Sequence, residues 1–171
     1  MSLMIRRAEP ADLDTIGRVT LQAYVDGGHL HPESDYGSTL ADAGARAEDA
    51  ELWVAVGPPA GTVLGSVTFA PPGSSFNEVA EPGEAEVRML AVSPDAQGGG
   101  TGEALMQHCV RRARELRLRA LALSTQPSMH AAHRIYERLG FVRTPERDWS
   151  PIPGVDLITY RLDLTPMEPP D

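Results

Sequence analysis

A cluster of glycines between a strand pattern and a helix pattern is the feature that most restricts the fold of this chain. Residues 87–92 are typical of a β-strand, four of the five residues 98–102 are glycines, and an amphipathic helix pattern follows. The first N–H groups of a helix have no partner within the helix, and glycine lets an oxyanion approach them closely. This order predicts a pyrophosphate-binding loop; the alternative is a flexible loop with a glycine-rich helix start.

Two other glycine-rich phosphate motifs do not fit. A Rossmann fingerprint needs Gly-x-Gly-x-x-Gly directly after a strand. The third glycine position is Glu103 if the motif starts at Gly98, and Leu105 if it starts at Gly100. A Walker loop needs a lysine, but all 15 cationic residues of the chain are arginines. The lack of lysine also excludes Schiff-base chemistry on a lysine side chain.

Length and composition indicate one domain without a membrane span. A chain of 171 residues is long enough to bury a core, and no apolar run approaches the roughly 20 residues that a spanning helix needs. We expect one domain over residues 4–164 and a flexible tail over residues 165–171. The net charge of −9 disfavours nucleic acid as a partner. The single cysteine, Cys109, excludes an internal disulfide and suits a cytoplasmic location.

The hydrophobic periodicity predicts a mixed α/β domain rather than a regular βαβ repeat. Strands are predicted near residue 6 and over residues 52–56, 63–70, 84–92, 120–125, 141–143 and 157–164. Helices are predicted over residues 13–23, 38–47, 102–118 and 128–139. Residues 149–154 contain two prolines and a glycine and are predicted to form a rigid loop.

Two motifs resemble the signatures of the GNAT superfamily of N-acetyltransferases. Gln97-x-x-Gly100-x-Gly102 is similar to its acyl-CoA-binding signature, Gln/Arg-x-x-Gly-x-Gly/Ala. Residues 90–94 resemble the family's fourth strand and its exit, and residues 132–141 resemble its second signature, Ala-x-x-Leu-Tyr-x-x-x-Gly-Phe. The resemblance extends over nearly the whole chain. It implies the GNAT acyl-CoA N-acyltransferase fold, with helices flanking a central, mostly antiparallel sheet that is splayed at the cofactor.

The resemblance also implies that acetyl-CoA is the acyl donor and that no metal takes part. In the family the pantetheine arm fills the gap between the fourth and fifth strands, while N–H groups of the glycine loop hold the pyrophosphate. The expected cofactor-binding residues are Leu90, Ala91, Val92, Gln97, Gly98, Gly99, Gly100, Thr101 and Gly102. A backbone N–H near Leu90 is expected to polarise the thioester carbonyl.

Tyr136 and Glu86 are the expected catalytic residues. Tyr136 matches the family's general acid, which protonates the departing thiolate; the alternative is a tyrosine of the core. Glu86 lies four residues before Leu90, where several family members have a glutamate base, and side-chain alternation places Glu86, Arg88 and Leu90 on one face of the strand. The alternatives are an ion pair between Glu86 and Arg88 at a solvated strand end, and a base formed by a chain of water molecules.

The implied reaction is direct transfer of an acetyl group to a primary amine, with a small molecule as the expected acceptor. Family members often form homodimers, so a homodimer is compatible with the resemblance. Two alternatives stay open: a non-catalytic acyl-CoA-binding or sensing module, and an enzyme that acetylates a protein or peptide amine. Met129 stands where the family often has an asparagine that assists cofactor contacts, which favours the sensing module.

Other candidate residues have both a functional and a purely structural interpretation. His29 and His31 lie in the segment that lines the acceptor site in the family, and a metal site there is the less favoured interpretation because no third ligand has a recognisable spacing. Residues 149–154 either wall the acceptor pocket or only pack against the last strand. Cys109 lies on the apolar side of its helix and is interpreted as a core residue rather than a nucleophile.

Overall fold

The computed structural model describes residues 3–30, 34–58 and 61–164 of the chain. The expected tail over residues 165–171 and His31 lie outside these ranges. The strands are β1 (Met4–Arg7), β2 (Glu51–Gly57), β3 (Thr62–Ala70), β4 (Glu84–Val92), β5 (Ala120–Thr125), β6 (Val142–Arg143), β7 (Trp149–Ile152) and β8 (Val155–Asp163). The α-helices are α1 (Leu13–Asp26), α2 (Tyr36–Ala41), α3 (Ala43–Asp49), α4 (Thr101–Glu115) and α5 (His130–Arg138).

The strands form a mixed sheet in the order β1-β2-β3-β4-β5-β8-β6, and β7 pairs with the start of β8. Among the described strands, β4 and β5 form the only parallel pair, and every other pairing is antiparallel. A parallel pair needs a crossover connection, and α4 supplies it here. The predicted mixed α/β fold with a mostly antiparallel sheet is therefore confirmed.

Side chains of β2 are buried on both faces of the sheet. Leu52 and Val54 pack in one cluster with Ile16 of α1, whereas Ala55 belongs to a second cluster that contains Leu105 of α4. Successive side chains of a strand point to opposite faces, so α1 and α3 cover one face and α4 and α5 cover the other. The two-sided packing fixes the position of β4, which runs through the middle of the sheet.

The pairing between β4 and β5 ends halfway along β4. Parallel pairing extends from Glu84 opposite Ala120 to Val87 opposite Leu123. Beyond that point β4 continues to Val92 while β5 ends at Thr125, and no further pairing joins the two strands. The sheet is therefore splayed between the second half of β4 and the end of β5, as the resemblance implied.

A β-bulge interrupts β4 where the splay begins. Ser66 of β3 is opposite Ala91, but Thr68 is opposite Arg88, so β4 has one residue more than β3 in this stretch. Met89 lies in the bulge and has a φ of 54°, a conformation that is uncommon for a residue other than glycine. A bulge changes the direction of the side chains that follow it, so Leu90 does not face the same side of the sheet as Arg88.

Two parts of the fold differ from the sequence prediction. The helix predicted over residues 38–47 is two short helices, α2 and α3, which meet at Asp42. The Asp42 side chain accepts a hydrogen bond from the Ala45 N–H at 3.0 Å and so caps the second helix. The loop predicted over residues 149–154 contains the strand β7, which forms a hairpin with β8. Prolines are tolerated there because β7 is an edge strand.

Candidate active site

The glycine loop between β4 and α4 presents unpaired N–H groups at an exposed surface. Gly98 and Gly100 have φ values of 83° and 84°, which L side chains rarely adopt, and a Cβ at either position would have no atom within 4 Å. Within the described part of the chain the N–H groups of these two glycines have no backbone partner. The first N–H groups of α4 lack helical partners by geometry, so the loop suits an anionic ligand.

Thr101 and Gly102 have a packing role as well. Thr101 is buried, and a Cβ on Gly102 would lie 3.1 Å from Ile135 Cδ1 and 3.5 Å from Val92 Cγ2. Glycine at position 102 therefore lets the start of α4 approach α5 and the end of β4. This close packing fixes the glycine loop beside the opening between β4 and β5. Gln97 and Gly99 are exposed on the same loop.

A cavity of about 920 Å³ opens on the other side of the splay. It is formed by the end of α1 and by α2, by β4, by the end of β5 with the loop to α5, and by the hairpin of β7 and β8. From β4 the cavity is lined by Glu86, Arg88 and Met89, but not by Leu90. The predicted shared face of Glu86, Arg88 and Leu90 is thus wrong for Leu90, because the bulge at Met89 breaks the alternation and Leu90 packs against the core.

Glu86 is buried at the floor of this cavity and is held by the preceding loop. Its side chain is 1% exposed, and Oε1 accepts hydrogen bonds from the N–H groups of Glu78, Val79 and Ala80 at 2.8, 2.7 and 3.0 Å. Burial raises the pKa of Glu86, although these N–H donors act in the opposite direction. Among the described residues Oε2 has no hydrogen-bond partner, so it is available to a ligand.

Arg88 does not form the ion pair with Glu86 that was the alternative interpretation. Its Nη2 donates to the Tyr36 hydroxyl at 3.1 Å and its Nη1 to the Phe76 carbonyl at 3.2 Å. Arg88 forms an ion pair with Glu78 instead, with 3.9 Å between Nη1 and Oε1. Arg88 therefore links β4 to α2 and to the loop before β4.

Glu84, two residues before Glu86, is a structural carboxylate. It is 1% exposed and accepts hydrogen bonds from Arg147 at 2.7 Å and from Arg161 at 2.8 Å. Burial alone would raise the pKa of Glu84, but the two guanidinium groups outweigh it and lower the pKa to about 2. Glu84 does not line the cavity, so it is not a candidate base.

Tyr136 lies in the core rather than on the cavity surface. It is 5% exposed, and its ring centroid lies 5.9 Å from that of Phe141 and 5.7 Å from that of Tyr160. Burial raises the pKa of its hydroxyl, which among the described residues has no hydrogen-bond partner. The general-acid role of Tyr136 stays a prediction.

The segment after α1 is fastened across the cavity to the loop after β5. His29 Nδ1 and Ser128 Oγ form a hydrogen bond of 2.8 Å, and Gln126 Nε2 donates to the His29 carbonyl at 2.7 Å. Met129 lines the cavity and its sulfur accepts a weak hydrogen bond from Thr125. Gln126 and Ser128, the polar side chains near Met129, therefore hold the cavity wall together.

The hairpin of β7 and β8 forms another wall. Trp149 lines the cavity, and its Nε1 donates to Ser124 Oγ at 2.9 Å, so the indole is fixed against β5. Residues 149–154 therefore line a cavity, and their role in acceptor binding stays a prediction. Sequence reasoning missed the contacts of His29 with the loop after β5 and of Trp149 with β5, because each pair of partners is more than 20 residues apart in the chain.

Within the ranges that the structure describes, no group of histidine, cysteine or acidic side chains has the arrangement of a metal site. None of the helices described is both long and apolar enough to cross a bilayer.

Cys109 is expected to be unreactive in the folded protein. Its side chain is fully buried among core residues, and burial raises the pKa of the thiol, whereas the thiolate is the reactive form. A disulfide reagent that releases a coloured thiolate should modify less than about 0.1 equivalent in native buffer and about one in denaturant. Rapid modification of the native protein would contradict this prediction.

The chain matches the model of the acetyltransferase (GNAT) family over residues 18–141. A mycothiol acetyltransferase of Cellulomonas flavigena is 34% identical to it over 94% of this chain and 47% of that protein. A mycothiol acetyltransferase of Geodermatophilus obscurus is 37% identical over 66% of this chain and 37% of that protein. The chain thus spans about half the length, or less, of these curated relatives.

Solved structures of the same family share the fold. An acetyltransferase of the GNAT family from Staphylococcus aureus Mu50 superposes with a TM-score of 0.75 at 13% identity, over 95% of this chain and 99% of that one. A GNAT family acetyltransferase from Brucella melitensis, solved in complex with acetyl-CoA, has a TM-score of 0.64 at 24% identity, over 98% of this chain and 92% of that one. Together with the family match over most of the chain, the splayed sheet and the glycine loop identify this protein as a member of the acetyltransferase (GNAT) family.

Proposed function

We propose that this protein transfers the acetyl group of acetyl-CoA directly to a primary amine of a small molecule. The observation that carries the proposal is the separation of β4 from β5 after Val87 and Leu123. The glycine loop lies at the end of β4, and the cavity with Glu86 lies against its middle. One ligand can therefore bind along the opening with its phosphates at the loop while a second one occupies the cavity.

The residues present fit acetyl-CoA as the donor. The N–H groups of Gly98, Gly100 and the first turn of α4 are free for a pyrophosphate. The second half of β4, with Leu90, Ala91 and Val92, has no strand partner on its β5 side, so its backbone can hydrogen-bond an extended pantetheine arm. Seven of the nine residues expected from the sequence are proposed in these roles, whereas the N–H groups of Gln97 and Gly99 donate to the Pro94 and Ala96 carbonyls within the loop.

Glu86 is suited to accept the proton of the attacking amine on Oε2. The three N–H groups on Oε1 keep the side chain in place while Oε2 faces the cavity. A raised pKa brings a carboxylate closer to the working pH, which favours proton transfer. Tyr136 is the proposed donor of a proton to the leaving thiolate because of the resemblance to the family's second signature; burial keeps its hydroxyl protonated but also makes it a weaker acid.

A small acceptor is favoured by the size of the cavity and by the relatives. Residues after α1, the loop before β4 and the β7–β8 hairpin all line the same cavity of about 920 Å³ in front of Glu86, a volume in the range of small-molecule sites. The curated relatives are named mycothiol acetyltransferases, which points to a small-molecule acceptor here as well.

Acetyl-CoA binding measured by calorimetry tests the donor site, with Gly100→Glu and Gly73→Glu as a matched pair. Both glycines have a left-handed φ, 84° and 94°, and a Cβ at either position has no atom within 4 Å. Only Gly100 lies at the proposed phosphate site, so Gly100→Glu should weaken binding about 30-fold or more by replacing free N–H groups with a carboxylate. Gly73→Glu should bind like the wild type.

The outcomes separate the alternatives. No binding by the wild type, or equal losses in the two variants, would contradict the donor site. Binding without amine-dependent release of CoA over a panel of small amines would contradict the transfer reaction and favour an acyl-CoA-sensing module.

A further inference from the structure

We propose that the acceptor carries a second positive charge in addition to the amine that is acetylated, as a diamine or a related small dication does. The inference rests on the proposed function, because it concerns the cavity in front of Glu86. Three features support it: the negative charge of the cavity lining, rim carboxylates that have no cationic partner among the described residues, and aromatic rings in the same lining.

Carboxylates outnumber cations among the described residues that line the cavity. The carboxylates are those of Asp35, Glu78, Glu86 and Asp156. Arg88 is the only guanidinium, and His29 is neutral near pH 7 because burial and His130 lower its pKa. Four carboxylates against one guanidinium leave three net negative charges. A cavity with a negative lining concentrates cations and disfavours anions.

The negative charges lie at two depths. Glu86 is 1% exposed and its Oε2 has no hydrogen-bond partner among the described residues, so it marks the deep position for the reacting amine. Asp35, at the start of α2, and Asp156, on β8, are exposed at the rim. Neither forms an ion pair with another described residue, and Asp156 accepts its hydrogen bond from the neutral Ser150 hydroxyl.

The one guanidinium of the lining does not offset these charges. Arg88 is directed to the Tyr36 hydroxyl, the Phe76 carbonyl and the carboxylate of Glu78. Its charge is therefore shared with Glu78 within the wall. The carboxylates of Glu86, Asp35 and Asp156 are left for the acceptor.

Aromatic rings line the same cavity as these carboxylates. Tyr24 and Tyr36 are contributed by α1 and α2, and Trp149 is contributed by β7. The faces of such rings attract ammonium groups, and their apolar surface suits a methylene chain. A dication with one ammonium at Glu86 and the other at the rim matches this arrangement. An acceptor with a carboxylate in place of the second ammonium would be repelled.

Three acceptors of equal chain length test the proposal: 1,5-diaminopentane, pentylamine and 5-aminopentanoate. Their affinities are measured by calorimetry with CoA present, and kcat/KM is measured by CoA release. The diamine is expected to bind about tenfold more tightly than pentylamine, and the aminopentanoate more weakly than either. The preference for the diamine should decrease as the ionic strength rises.

The double variant Asp35→Asn and Asp156→Asn should reduce the preference for the diamine to about twofold, because it weakens binding of the diamine more than binding of pentylamine. Asp14→Asn is the matched control, since Asp14 is exposed on α1 and does not line the cavity. Equal binding of diamine and pentylamine, or tighter binding of 5-aminopentanoate, would overturn the proposal. Acetylation of pentylamine without a diamine preference would contradict this inference alone, whereas a diamine preference without acetyl transfer would contradict only the proposed function.

Discussion

Replacing Glu84 with alanine is expected to lower the free energy of unfolding by about 3 to 5 kcal/mol, because a buried ion pair is broken. The Glu84 side chain is 0% exposed and pairs with Arg147 and Arg161, whose side chains are 15% and 26% exposed. The variant would leave both guanidinium groups without this partner. Equilibrium unfolding in urea gives the change directly.

Glu115→Ala is the control for this measurement. Glu115 pairs with Arg112 at 3.3 Å, but its side chain is 66% exposed, and an exposed pair of this kind contributes less than about 1 kcal/mol. Equal losses in the two variants would show that the Glu84 cluster adds no more than a surface ion pair.

The same cluster makes stability depend on pH in the acid range. The pKa of Glu84 is about 2 in the folded protein against an ordinary value of 4.5. The folded state therefore releases the proton more readily than the unfolded state does, so this contribution to stability is present above pH 4.5 and is lost as the pH falls toward 2. A Glu84→Gln variant should lose less stability than the wild type over this interval in the same urea measurement.

A Glu86→Gln variant is expected to lose about 10²- to 10⁴-fold in kcat/KM, the usual contribution of a general base. The amide oxygen of glutamine can still accept the hydrogen bonds that Oε1 receives from Glu78, Val79 and Ala80. The cavity should therefore keep its shape, and acetyl-CoA should bind within about twofold of the wild type. Steady-state release of CoA with an accepted amine measures the loss.

Glu78→Gln separates the loss of a base from the loss of a cavity charge. Glu78 also lines the cavity, but its side chain is 42% exposed and lies 3.9 Å from Arg88. It is expected to change kcat/KM by about threefold or less. Full activity of Glu86→Gln would contradict the role of Glu86 and favour a base formed by water molecules.

Local patterns predicted the strand, the loop and the helix that form the proposed donor side of the site. The strand ending at Val92, the glycine loop and α4 are contiguous in sequence, so alternation, glycine content and helical spacing were sufficient. The separation of β4 from β5 was implied by the resemblance alone, because no local pattern encodes where two strands separate.

The acceptor side could not be predicted in the same way. His29, Glu86 and Trp149 come from three distant segments, and their meeting depends on the pairing of β7 with β8 and on the hydrogen bonds of His29 across the cavity. β7 itself was missed because Pro151 and Pro153 suggest a loop. The bulge at Met89 was not predicted, because β4 contains no glycine or proline that would mark it in the sequence.

The bulge at Met89 also has an evolutionary consequence, since it divides β4 into two halves that can diverge separately. Glu86 and Arg88 before it face the cavity, whereas Leu90 after it packs against the core. Substitutions of Glu86 or Arg88 alter the cavity without disturbing the packing that holds the glycine loop. Relatives that keep the second half and vary the first are therefore expected to share their donor and to differ in the molecules they modify.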